Sequence, residues 1–324
     1  MGSKDETAGN QSCVGTTEDD GTLTFRLRLP NGFNRKYLTI RNVVFKYGQK
    51  DLLAALLENR ARLSLKKEKS ARYQDRGLAI TYRFVRDHKG WRLFASMALP
   101  TLEYVTKKEY GFIGVDLNID HLALAETDHF GNPVSIATLH LNLYGKSAAQ
   151  AKALVGDAAK ALVDFAKRQK KSIVVEKLDF RKKKRNLHQS NPKHARMLSA
   201  FAYQRTLEAI KVRAQREGVQ VFEVNPAYTS QIGQIKFAKR YGLSTHHAAA
   251  LCIARRTAGF SESLPRHSDV PSGKGTYVAF AVPVRTQQRS FWSYLGVVTR
   301  NLRTALAEHF RVTKRQSVGP PATT

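Results

Sequence analysis

Residues 112–127 read FIGVDLNIDHLALAET, and the rest of the chain is best read outward from them. Phe112, Ile113, Gly114 and Val115 form an apolar run that ends on a carboxylate, Asp116. Leu117, Asn118, Ile119 and Asp120 suit a tight connection. Leu122, Leu124 and Glu126 then alternate with small residues, as a second strand paired with the first would. An acid in a buried-looking strand is costly unless a cation or a donor satisfies it. Asp116 therefore has two readings, a strand-end residue capping a turn or a metal ligand.

Downstream, residues 134–141 read as a third strand after the turn Phe130-Gly131-Asn132-Pro133. Residues 147–170 are Ala-rich with Leu154, Ala158, Leu162 and Phe165 on one face, which predicts a helix. Ser172 to Val175 is a short apolar strand ending at Glu176. Residues 193–217 form a long helical pattern ended by Gly218. Residues 219–224 suit a strand, and 245–258 a helix capped by Ser244 or Thr245. The order β-β-β-α-β-α-β-α predicts an α/β fold on a mixed sheet. Two of its strands, those ending at Asp116 and Glu176, deliver an acid at the carboxyl end, the edge where open α/β sheets hold ligands. Two such acids suit Mg²⁺ or Mn²⁺ shared between carboxylates and substrate phosphates. A purely structural role for both is the alternative.

Composition points to the partner. The 324 residues are enough for two domains, and 54 Lys+Arg against 26 Asp+Glu give a formal net charge of +28. Such an excess repels itself unless a polyanion is present, so nucleic acid is the leading partner, with binding that weakens steeply as salt rises. A membrane is discounted, because no apolar run is long enough to span a bilayer and no signal peptide is found. Cys13 and Cys252 alone make neither a disulfide framework nor a zinc site, so no zinc is expected and a reducing cytoplasm, on the nucleoid, fits.

The domain reading follows from the same pattern. Residues 1–20 are Gly-, Ser-, Thr- and acid-rich and read as a disordered leader. Residues 21–105 read as a β-rich module with one helix at 50–69 and a hairpin about Asp87-His88-Lys89-Gly90. Residues 100–110 are a basic linker and 111–260 the α/β domain. Residues 261–324 read as a flexible Ser-, Pro- and Gly-rich loop, a short strand, an amphipathic helix and a basic tail.

Three motifs in order carry a family resemblance. GVDLNIDHLAL resembles the first motif of the RuvC-like nuclease domain of TnpB, the OrfB-type proteins of insertion sequences. IVVEKLDF resembles its second, and VNPAYTSQ the segment before its third. The likeness covers about residues 111–260, and the hairpin at 78–99 looks like the last strands of the family's β-barrel wedge domain. It implies an RNase H-like (RuvC) mixed sheet with flanking helices, and an RNA-guided DNA endonuclease, related to type V CRISPR effectors, with DNA and guide RNA as partners. Two departures stand out. YTSQ leads into residues 232–240, IGQIKFAKR, where the family has a four-cysteine zinc ribbon. The third motif's acid is also missing, since Ser244-Thr245-His246-His247-Ala248 places Thr245 where the family has Asp. His246 or His247 could act there as ligand or base; otherwise they cap the helix, pack, or touch phosphate.

The basic run Arg181, Lys182, Lys183, Lys184, Arg185, with Lys193 beyond it and Arg255 and Arg256 on the last helix, suits phosphate contact on so cationic a chain. A solvated charged face is the other reading. The sequence thus leads to a TnpB-like, transposon-associated nuclease. The alternative is a nuclease-impaired, RNA-dependent or plain DNA-binding relative.

Overall fold

The structure is a computed structural model describing residues 9–10, 12–66, 78–88, 90–97, 103–177, 193–273 and 275–317; the side chains of 9–10, 62–66, 193–201 and 314–317 lie outside that description. The chain divides into two compact units, Met1–Thr101 and Leu102–Thr324.

In the first unit, β1 (Gly9–Asn10), β2 (Cys13–Thr17), β3 (Leu23–Arg28) and β4 (Tyr37–Val43) form an antiparallel sheet in sequence order. Helix α1 (Gln49–Lys66) follows, then the hairpin β5 (Ile80–Asp87) and β6 (Gly90–Met97). Leu23, Phe25, Leu52 and Ile80 make the core, with Tyr82 edge-on to Phe25 at 4.9 Å between ring centroids. Asn59 is fully buried in α1, and its amide exchanges two hydrogen bonds with the backbone of Leu78. The expectation of disorder in 1–20 is corrected over residues 12–20; residues 1–8 and 11 lie outside the described residues. Cys13–Thr17 pairs along its length with β3, and Cys13 is in the core. A strand needs only backbone partners and one inward face. Gly15 supplies that face where a Cβ would lie 2.6 Å from the Tyr82 hydroxyl.

The second unit is built on a five-stranded mixed sheet. β7 (Phe112–Leu117), β8 (His121–Thr127) and β9 (Pro133–His140) form an antiparallel meander. Helix α2 (Ala148–Gln169) leads to β10 (Ser172–Glu176), and α3 (Lys193–Arg216) to β11 (Val221–Val224), both strands parallel to β7. The spatial order is β11-β10-β7-β8-β9. Counted within the unit this is 5-4-1-2-3, the RNase H-like arrangement expected from the sequence. Residues 178–192, with the basic run, lie outside the described residues.

Every residue of β7 is buried, because both faces of the sheet are covered. Ile113, Val115, Leu117, Ile173 and Val175 face α2 and α3, meeting Leu162, Val163, Ile210 and Ala214. Ser147 caps α2 by accepting from the Gln150 backbone N–H while the Gln150 side chain accepts from the Ser147 backbone N–H, a reciprocal capping box. Phe112 and Val174 face the opposite way, onto Ile253 and Ala254 of the helix at Thr245–Thr257, described next.

Thr229 to Tyr241 is helical throughout: α4 (Thr229–Gly233), a π-helical turn (Gln234–Ala238) and α5 (Lys239–Tyr241). Ile232, Ile235, Phe237 and Ala238 from this segment pack into the core. Helix α6 (Thr245–Thr257) follows, with Ser244 as N-cap. Residues 261–275 are not simply a loop, as the sequence suggested. β12 (His267–Gly273) pairs with β13 (Thr276–Ala281), and Val270 and Phe280 join the same core as α7 (Phe291–Ser317). Ser, Pro and Gly mask the strand, but two glycines at positive φ, Gly273 and Gly275, make the turn. No described helix is long and apolar enough to cross a membrane.

Candidate active site

Gly114 sets the site. A Cβ there would lie 2.0 Å from the Ala250 carbonyl oxygen and 2.8 Å from the Ala254 amide nitrogen, so α6 rests directly on the backbone of β7. Ala250 and Ala254 keep that side of the helix thin enough for the approach. Two residues along the strand (about 6.6 Å) match nearly one helical turn (about 5.4 Å). His246, four residues before Ala250, therefore falls over Asp116, two residues after Gly114.

Asp116 and Glu176 come together at the carboxyl edge. The β7–β10 ladder pairs Val115 with Val175, so the two acids are the next residues of adjacent parallel strands, spaced by about 4.8 Å. Alternation turns both toward α6, away from the Val115–Val175 core. Asp116 is buried. Its Oδ2 accepts from the Asn118 amide at 3.0 Å and lies 2.9 Å from His246 Nδ1. Oδ1 carries no hydrogen bond among the described residues. Glu176 Oε1 accepts from the Thr229 hydroxyl at 2.5 Å, and that hydroxyl sits at the start of α4 within the YTSQ segment.

The two histidines have different surroundings. His246 is half-exposed, with 49% of its side chain open to solvent, and its Nδ1 proton is assigned to the bond with Asp116. That leaves the Nε2 lone pair available as ligand or proton acceptor. The His121 ring stands edge-on to it at 5.0 Å. His121 Nδ1 is 2.7 Å from Asp120 and Nε2 is 3.3 Å from the Asn118 amide, so a polar chain runs from Asp120 to Asp116. The His121 hydrogen bond holds the Asp120 carboxyl below its ordinary value. His247 instead ties the start of α6 to β9. Its Nε2 lies 3.2 Å from the Ala137 carbonyl and 3.0 Å from the Thr138 hydroxyl, and Nδ1 is 2.8 Å from Ser244 Oγ. Burial holds its imidazole below the usual value, consistent with a neutral structural ring.

Tyr203 of α3 reports the field of the site. Burial first, then the charges of Asp116, Asp120 and Glu176, raise its phenol. Among the described residues no group of three or more His, Cys, Asp or Glu is arranged as a closed metal cage. Cys13 and Cys252 are both buried, each in a different unit.

Of the expected phosphate contacts, Arg181, Lys182, Lys183, Lys184 and Arg185 lie outside the described residues, and Lys193 begins α3 with its side chain undescribed. Arg255 points inward. Its guanidinium binds the buried Glu262 at 2.5 Å and the Gly131 carbonyl at 2.6 Å, and sits over the Phe260 ring. Nothing in the Ser- and Pro-rich stretch marks Glu262 in advance as its partner. Arg256 donates to the carbonyls of Asn225 and Ala227. Tyr228 is half-buried against the core, beside Trp292 of α7. Asn118, His121 and Thr229 are the site residues that sequence reasoning passed over. The available signal was a polar Asn-Ile-Asp-His connection between two buried strands.

No family model matches the sequence, and no curated protein matches it. Solved structures do resemble its fold. Thermus thermophilus RuvC in complex with Holliday junction substrate is 18% identical, aligned over 44% of this chain and 88% of that one, with a TM-score of 0.32. A Cas12f1–sgRNA–target DNA complex is 14% identical over 56% of this chain and 67% of that one, at 0.33. A CRISPR-Cas12f ternary complex is 11% identical over 77% and 61%, at 0.31. The strand order, rather than these scores, carries the RuvC-like fold.

Proposed function

We propose that this chain is a metal-dependent DNA endonuclease of the RuvC-like kind, TnpB-like and transposon-associated, guided by RNA and working on the nucleoid in the cytoplasm. The observation that carries this reading is the Asp116–Glu176 pair on adjacent parallel strand ends, with His246 brought onto Asp116 by the α6–Gly114 contact.

The donor set fits Mg²⁺ or Mn²⁺: two hard carboxylates side by side, with Asp116 Oδ1 turned to no other partner among the described residues. Asp116 and Glu176 would hold the ion, with His246 Nε2 beside it. Such an ion would supply Lewis acidity at the phosphodiester and make a nearby water easier to ionise. The chain's own residues set the geometry. Asn118 and His246 fix the Asp116 carboxylate, and Thr229 fixes Glu176. With Nδ1 held by Asp116, His246 Nε2 is oriented to take a proton from water. The chain's net charge of +28 suits holding the phosphodiester backbone without reading sequence.

Thr245 at the position of the family's third acid favours a second reading, a relative that binds nucleic acid without cutting it. The discriminating experiment purifies the chain with its accompanying nucleic acid, sequences that nucleic acid, and supplies matched DNA with Mg²⁺ or Mn²⁺. Cutting is the expected result. Tight binding with no cutting under either ion would refute the enzyme and leave the binder.

A further inference from the structure

Away from the acid pair, the helical segment 234–241 and the β12–β13 hairpin enclose an open groove of about 690 Å³. Lys236, Lys239 and Arg240 form one wall, His267 and Asp269 the other, and the buried Phe280 lies at the base. The charge is lopsided. Lys239 pairs with Asp269 at the exposed rim, and Lys236 pairs with Glu262 at 2.5 Å. Glu262 is also held by Arg255, so it neutralises only one of its two cations. Arg240 has no acidic partner among the described residues. The groove therefore retains net positive charge.

The rim adds exposed aromatic faces. Tyr277 is 43% exposed with Lys239 over its ring; Tyr241 is 36% exposed with Arg240 over its ring and is stacked on Phe237. Exposed rings beside cations along an open basic groove are what unpaired bases and their phosphates require: stacking from one group, charge from the other. A duplex would hide its base faces, and a neutral ligand would leave the charge uncompensated.

We propose that this groove is a binding site for single-stranded nucleic acid, taking phosphates on Lys236, Lys239 and Arg240 and stacking bases on Tyr241 and Tyr277. It needs no metal, so it stands or falls separately from the nuclease reading.

The test uses the full chain in EDTA, with fluorescence anisotropy on oligothymidine, oligouridine and a duplex across a salt series. The paired substitution Lys239→Gln and Arg240→Gln should lower the salt slope on single strands by about 0.7 for each phosphate no longer neutralised. Tyr241→Ala and Tyr277→Ala should each weaken single-strand binding by about fivefold and leave duplex binding unchanged. Asp269→Asn removes an acid from the rim and should tighten binding about threefold; its exposed position keeps it informative if the double variant folds poorly. Oligothymidine and oligouridine show whether the strand is DNA or RNA. A folded double variant with the wild-type slope would overturn the site. Equal losses on duplex and single strand from the tyrosine variants would overturn the single-strand assignment. Intact binding in a protein that never cuts would count against the nuclease reading alone.

Discussion

Gly114→Ala tests the geometry that brings the site together. The added Cβ would sit 2.0 Å from the Ala250 carbonyl oxygen, and relief to the 3.0 Å floor of real contacts takes at least 1.0 Å (3.0 minus 2.0). Both obstacles are backbone, so no side chain can swing away, and α6 must lift from β7. We expect a loss of about 3 kcal/mol, the upper end of ordinary overpacking, seen as a melting temperature lower by about 6–12 °C. The same lift would stretch the His246–Asp116 contact from 2.9 Å to about 3.9 Å, beyond hydrogen-bond range. Cleavage should then fall about a hundredfold, the usual result of misplacing a catalytic group by an ångström. Gly156→Ala is the control, because nothing lies within 4 Å of its Cβ in α2, and it should stabilise by about 0.5–1 kcal/mol. Thermal melts and single-turnover cleavage measure both. A Gly114→Ala protein that melts and cuts like wild type would refute the reasoning.

His246→Ala should melt near wild type, since the ring is half-exposed, yet lose at least about a hundredfold in cleavage. His247→Ala should do the reverse, losing about 1–2 kcal/mol of stability through its bonds to Ala137, Thr138 and Ser244 while keeping most activity; equal effects from the two would contradict the division of roles. His246→Asp should preserve Mg²⁺-dependent cutting, because carboxylate oxygen suits Mg²⁺ better than imidazole nitrogen, and a dead variant would count against a ligand role. Burial in α6 pushes the Cys252 thiol up to about 12 from 9.0. The sign is that of a raised group: its contribution is full below pH 9.0 and is lost as pH rises toward 12, because the unfolded thiol ionises first. Wild type should therefore lose more stability on alkalinisation than Cys252→Ala, and Cys252 should resist alkylation until the chain unfolds; ready labelling of the native protein would contradict this.

The sheet was legible because β7, β8 and β10 are buried on both faces or alternate cleanly, and their acids interrupt apolar runs. Asp116 and Glu176 stood out for the same reason. What the sequence hid was set by tertiary contact. Cys13–Thr17 lies within a polar stretch but takes its partners from the backbone of β3. His267–Gly273 has Pro and Ser at strand positions and is fixed by Val270 and Phe280. Arg255 and Arg256 look like phosphate ligands by charge alone, and only the fold shows them taken up by Glu262 and backbone carbonyls. The difference between His246 and His247 is likewise invisible in a His-His pair. It depends on which ring faces β7 and which faces β9.

The most direct test of the central claim is cleavage by Asp116→Ala and Glu176→Ala, each measured beside binding to the same DNA without metal. Removing either carboxylate deletes a metal-binding group but leaves the Lys and Arg contacts in place. Each variant should therefore stop cutting while binding is retained, or tightens as a negative charge leaves the phosphate path. Variants that still cut at the wild-type rate would show that the chemistry lies elsewhere and contradict the account.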